Sequence, residues 1–346
     1  MPIIVQGTEF KPDRINLPQS ASDPAGSHEL GDIYFNTTDK QIKVYQNVDG
    51  VGLGFTDMYG TAGGGGAGGE AYWTQGSAGA TKSWTVPAGV TSISVVCIGG
   101  GGTGYIQGAG RGGSPRSSGG GGGGLAYKNN ITVTPGSTVT VKIGNRGPSD
   151  SQDGQPSWIQ YGGTQYATGG GGSGGSANTD RPGGSPSGTR NGGGTGGTSG
   201  HGNSANGGGG AAGYTGTGGG AGQNPSGGAG GRGAGDGNVC SGAGGVGLFG
   251  QGSTGSNASS IGQGGGGGSP DTIGGGQNGT PGNGNVYSGD AGNFGGGGAH
   301  DDQSTQQKLV YGAYGGVRII WPGDTRSFPS TNTDQTLSAS NIQNNP

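Results

Sequence analysis

Between Gly162 and Gly298 the chain carries 60 glycines in 137 residues. A stretch so short of side chains has too little apolar surface to collapse on, so it stays unfolded or orders through its backbone alone. Three backbone states compete: a flexible linker, a collagen triple helix and packed polyproline-II helices. Collagen requires unbroken Gly-X-Y and abundant proline. Here Gly207-Gly208-Gly209-Gly210 breaks the repeat, and the whole chain has only 17 prolines. A looser period of three is present all the same. Gly207, Gly210, Gly213, Gly216, Gly219 and Gly222 share one register, Pro225, Gly228 and Gly231 extend it, and Gly289, Gly292, Gly295 and Gly298 repeat it. Polyproline II has three residues per turn, so each such register is one face. A face of glycine lets a second backbone approach closely enough for N–H···O=C and Cα–H···O=C contacts. Ordering costs roughly 1–2 kcal/mol of backbone entropy per residue, and most for glycine, so it requires dense bonding between helices. The glycine runs are separated by distinct segments that a linker has no use for: Ala177 to Pro182, His201 to Ser204, Asp236 to Cys240, Asn285 to Ser288 and Ala299 to Gln303. They read as loops between glycine helices. The expectation is therefore a glycine-rich bundle over 162–310.

The flanks are ordinary in composition and read as β-structure. Residues 1–60 contain Ile33 to Phe35 and Gln41 to Tyr45, two alternating runs around a turn-rich Asn36 to Lys40, which predicts a β-hairpin. A lone hairpin is marginal in water, so this segment is expected to gain stability from neighbouring chains or a partner. Residues 61–71 read as a glycine-rich linker. Ser83 to Val86, Val90 to Ile98, Ile131 to Thr134, Thr138 to Ile143 and Gly316 to Trp321 are rich in β-branched residues and predict strands. They place 72–161 and 311–322 in one small β-sandwich-like domain, with 162–310 as its insertion and 323–346 as a C-terminal tail. The fold class expected is all-β with no significant α-helix.

Composition also narrows function. A formal charge of −3 and the lack of a Lys/Arg cluster argue against a nucleic-acid partner. No window reaches about 18 apolar residues, so no membrane insertion is expected, and Met1 to Gly7 lacks a basic-then-apolar signal pattern, which predicts synthesis in a cytoplasm. Cys97 sits in the apolar run Ser94 to Ile98 and reads as a small buried hydrophobe. Gly99-Gly100-Gly101-Gly102-Thr103-Gly104 matches a dinucleotide-binding pattern, but no amphipathic helix follows it. His28, His201 and His300 lack ligand spacing, and Asp301-Asp302 beside His300 reads as an exposed acidic loop before it reads as a divalent-cation site. No nucleophile, base or carboxylate pair stands out, so neither an enzyme nor a cofactor is expected.

The succession Trp84 to Val90, Val95 to Gly102, Gly119 to Tyr127, Val133 to Gly136, Ile143-Gly144, a long glycine-rich stretch and the closing Gly316 to Ile320 resembles the glycine-rich domain of tailed-phage tail-fibre proteins. The separate Gly31 to Thr37 resembles a segment common in phage fibre and tail structural proteins. The resemblance implies a virion protein, a tail fibre or fibre-tip adhesin with a polyglycine-II bundle whose loops contact a bacterial surface glycan or outer-membrane protein. It implies attachment to other virion proteins, whether fibre shaft, tail or capsid, through residues 1–60, and a homotrimer by analogy with fibres. The receptor-binding candidates are then loop residues with stacking or polar side chains: Arg181, Arg190, His201, Tyr214, Asp236, Tyr287, His300 and Asp301. Tyr214 could equally cap the bundle. The alternatives are a capsid decoration or head-fibre protein without a receptor, and a secreted glycine-rich matrix or ice-binding protein.

Overall fold

The computed structural model describes residues 18–25, 27–30, 32–38, 41–48, 52–57, 68–74, 77–105, 117–177, 179–202, 207–221, 242–251, 253, 255, 291–299, 310–330 and 342–344. The chain divides into two compact units, Met1–Ala67 and Gly68–Pro346. The fold is all-β, built from several sheets.

In the first unit, strands β1 (Gln19–Ser20), β2 (Ile33–Asn36), β3 (Gln41–Val48) and β4 (Gly52–Asp57) lie side by side in chain order. The expected hairpin is β2–β3, with Ile33 opposite Val44 and Phe35 opposite Ile42. It does not stand alone: β4 adds an antiparallel neighbour and β1 a parallel one, and three or more strands make a sheet far more stable than two. Buried Tyr34 donates its hydroxyl to Asp23, which also pairs with Lys43 at 3.4 Å. Burial, followed by the Asp23 carboxylate, raises the Tyr34 pKa.

The second unit contains a four-stranded and a six-stranded sheet. The first has β6 (Thr81–Thr85), β10 (Thr138–Lys142), β11 (Ser157–Tyr161) and β12 (Thr164–Gly169) in the order β12-β11-β10-β6. The second, ordered β13-β9-β7-β15-β5-β16, has β5 (Gly69–Trp73), β7 (Ser92–Ile98), β9 (Leu125–Thr132), β13 (Gly192–Gly194), β15 (Gly316–Trp321) and β16 (Ile342–Asn344). One buried cluster joins them: Trp84, Val139, Val141, Ile159 and Ala167 meet Trp73, Ile93, Val95, Cys97, Ile131, Val317, Ile319 and Trp321. That is a sandwich core. Every residue of β7 is buried, because Val96 and Ile98 on its other face join a second cluster with Leu125, Tyr214, Val246, Leu248, Phe294, Ile320 and Phe328. A strand buried on both faces reads as the unbroken apolar run seen in the sequence.

The strands run on into glycine. Residues 99–104 follow β7, 119–124 precede β9, 170–175 follow β12, 195–200 follow β13 and 310–315 precede β15. Within 120–124 the hydrogen bonds rotate with a period of three. Gly120 and Gly123 donate to Gly298 and Gly295, Gly121 and Gly124 to Ser173 and Gly170, and Gly122 to Gly197. The carbonyls rotate likewise: Gly209 and Ala212 donate to Gly120 and Gly123, Gly102 and Gly99 to Gly121 and Gly124, and Gly184 to Gly122. Six different segments therefore surround one. A three-fold helix with bonds leaving in every direction is the polyglycine-II arrangement, and it accounts for each backbone polar group without a sheet. A Cβ on any of Gly120, Gly121, Gly122, Gly123 or Gly124 would overlap a neighbouring carbonyl oxygen.

Several boundaries differ from expectation. β5 begins inside the expected linker, β12 lies beyond residue 161, and Phe328, within the expected tail, packs in the second cluster. The bundle is not confined to 162–310 either, since 99–104, 119–124 and 310–315 belong to it. The reason is physical: a bundle needs neighbours on all sides, and strand extensions supply them at fixed spacing.

Candidate functional site

Strand exits define the two ends of the bundle. At the sheet end lie tight connections. Residues 188–191 turn between Ser187, which pairs with Thr168, and β13. Tyr214 sits there fully buried. Its hydroxyl donates to Gly247 O at 3.0 Å and accepts from Gly250 N at 3.1 Å, and its ring stacks on Phe328 with centroids 5.9 Å apart. A side chain with no exposed surface cannot touch a partner, so Tyr214 leaves the set of contact residues and is a core residue of the bundle.

At the opposite end the described segments are tied together by main-chain bonds. Gly104 N donates to Val310 O, Ser151 N to Gly104 O, Tyr105 N to Ser118 O, Ser118 N to Ser176 O and Gly200 N to Gly207 O. Strand β8 (Ser117–Ser118) pairs with β14 (His201–Gly202), and Ala221 N donates to Thr198 O. The described edges of six connections, leaving after residues 105, 147, 176, 202, 221 and 299, are thereby gathered at one end.

Two sequence-derived candidates stand at this end. Arg181 is tied back: its N–H donates to Ser199 Oγ at 3.0 Å and its Nε to Gly174 O at 2.6 Å, which leaves it half-buried. His201 is held by the β14–β8 pairing through its backbone. Arg190 is exposed but belongs to the sheet-end turn 188–191, away from these loops. Asp236, Tyr287, His300 and Asp301 lie outside the described residues, as does the cation candidate at His300 to Asp302. Among the described residues no group of three metal-ligating side chains forms, and no helix is long and apolar enough to cross a membrane.

Two features escaped the sequence reading. A polar cleft of about 390 Å³ runs beside the bundle, lined by Asp180, Thr195, Thr198, Ser199, Thr217 and Ala221 together with glycine backbone. Its signal was the threonine at every third position in Gly194-Thr195-Gly196-Gly197-Thr198. On the 310–315 segment Tyr311 and Tyr314, also three apart, flank Arg146, whose guanidinium carbon lies 3.8 Å and 4.7 Å from their ring centroids. Cation–π stacking holds this outer ridge in place. Compared with known protein families and with curated proteins, the chain matches none of them.

Proposed function

We propose that this chain is a non-enzymatic structural protein of a tailed-phage virion, a tail fibre or fibre-tip adhesin that binds the bacterial surface through the loop end of its bundle. One observation carries the reading: the exits of six connections meet at one end of a backbone-bonded scaffold, while the opposite end is anchored in a β-sandwich core. A scaffold with few side chains of its own tolerates replacement of its loops, since its stability lies in main-chain bonds; that is the property a variable recognition surface needs. The resemblance of 72–322 to phage glycine-rich domains supports the same reading. The first unit is then the attachment module, joining other virion proteins, and the assembly proposed, by analogy with fibres, is a homotrimer. The purified protein is expected to label susceptible bacteria and to compete with phage adsorption, and exchange of residues 177–182 or 300–309 for those of a related chain is expected to change which strains are labelled. Labelling unaffected by both exchanges, or the subunit located on the capsid by cryo-electron microscopy with adsorption intact on its deletion, would overturn it.

A further inference from the structure

We propose that the cleft between residues 195–200 and 218–221 binds a neutral carbohydrate, so that part of the recognition surface is the flank of the bundle rather than its loops. This rests on the adhesin reading and supplies its ligand class.

Packing around 195–200 is incomplete among the described residues. In the interior, 120–124 is bonded to six segments, but 195–200 is not. Gly196 and Ser199 donate to Gly184 and Arg181, Gly197 and Gly200 to Gly210 and Gly207, and Thr195 and Thr198 accept from Gly218 and Ala221. Among the described residues the N–H groups of Thr195 and Thr198 donate to nothing, and their hydroxyls have no partner. Two faces of the segment are closed, since a Cβ on Gly194 or Gly197 would overlap Gly216 O or Gly219 O and one on Gly196 would overlap Gly122 O. The third face carries the threonines. Three residues of polyproline II span about 9 Å, so hydroxyl and N–H donors recur along the cleft at that interval.

The chemistry of the walls selects the occupant. A further glycine helix would need bare backbone on both sides, and the threonine Cβ atoms bar that approach. An anion finds no Lys or Arg among the lining residues and meets the Asp180 carboxylate. An apolar ligand would face hydroxyls and peptide groups. What remains is a neutral polyol: threonine hydroxyls donate and accept, N–H groups donate and a carboxylate accepts, which suits sugar hydroxyls that do both.

The test uses the full chain on an array of purified bacterial O-antigen and capsular polysaccharides, with Thr195→Val/Thr198→Val as one variant and Asp180→Asn, an exposed position, as another. Wild type is expected to bind at least one neutral polysaccharide. Each variant is expected to lose about ten-fold in affinity, the size of one or two hydrogen bonds, with its melting temperature unchanged. The inference is overturned if no array glycan binds, or if both variants bind as wild type does. Labelling of a bacterial strain panel separates the two readings. Strains labelled alike by wild type and variants would sink the cleft and leave the adhesin standing, whereas a wild type that labels no strain would sink the adhesin itself.

Discussion

A methyl group at Gly122 would overlap the carbonyl oxygen of Gly210, which is backbone and cannot swing aside. Gly122→Ala is therefore expected to cost about 3 kcal/mol or more, the upper range for overpacking, read as a lower urea midpoint at constant slope. Gly136→Ala makes the contrast: nothing lies within 4 Å of its Cβ position, but its φ is +78°, so only the left-handed conformation of about 1–2 kcal/mol is at stake. Tyr214→Phe removes a hydroxyl that satisfies two buried backbone groups, and a loss of about 1–3 kcal/mol is expected, with binding to cells unchanged because the ring is inaccessible. Cys97 behaves as the sequence suggested. Burial pushes its thiol well above the usual range. The folded state therefore keeps a proton that the unfolded state gives up near the ordinary thiol pKa, so this group's contribution falls as pH rises past that value. Iodoacetamide at pH 8.5 is expected to spare the Cys97 peptide until denaturant is added; modification of the native protein would contradict this.

Single elements were legible where side chains set the pattern. β7, β10 and β15 are rich in β-branched residues, and the period of two or the double-sided run identified them. β13 could not be found this way: Gly192–Gly194 has no side chain to alternate and is a strand only because Tyr127, Ala126 and Leu125 of β9 pair with it. A buried charge cluster also escaped notice, because its members are far apart in sequence. Glu70 of β5 accepts from Arg318 of β15, whose partner in register is Tyr72, two residues along from Glu70, and lies 3.6 Å from Arg326. The Arg318 guanidinium rests 3.9 Å over Phe249, and all three charged side chains are buried. Glu70→Gln removes the carboxylate paired with the buried Arg318 guanidinium, so a destabilisation of about 3–5 kcal/mol is expected in chemical denaturation. A wild-type-like midpoint would mean that water reaches the cluster.

At the level of the whole molecule, stability is divided between a side-chain core and a main-chain lattice, and hydrogen exchange can tell them apart. Amides of 120–124, bonded on every side, are expected to exchange only with global unfolding, while those of Thr195 and Thr198 exchange among the fastest. Random-coil rates at 120–124 would remove the scaffold on which the adhesin proposal stands. The scarcity of side chains meant that glycine segments could order only through their backbones, and in 120–124 those bonds turn with a period of three. The β-branched runs determined that an all-β domain would accompany it. Which segments neighbour one another was decided only in the tertiary structure, since identical glycine faces carry no address. A partner such as Gly197 for Gly122 is assigned by the strands, β13 and β9, that adjoin the two segments. The same holds for the proposed site: among the described residues packing leaves the face of Thr195 and Thr198 open, whereas it closes over Tyr214.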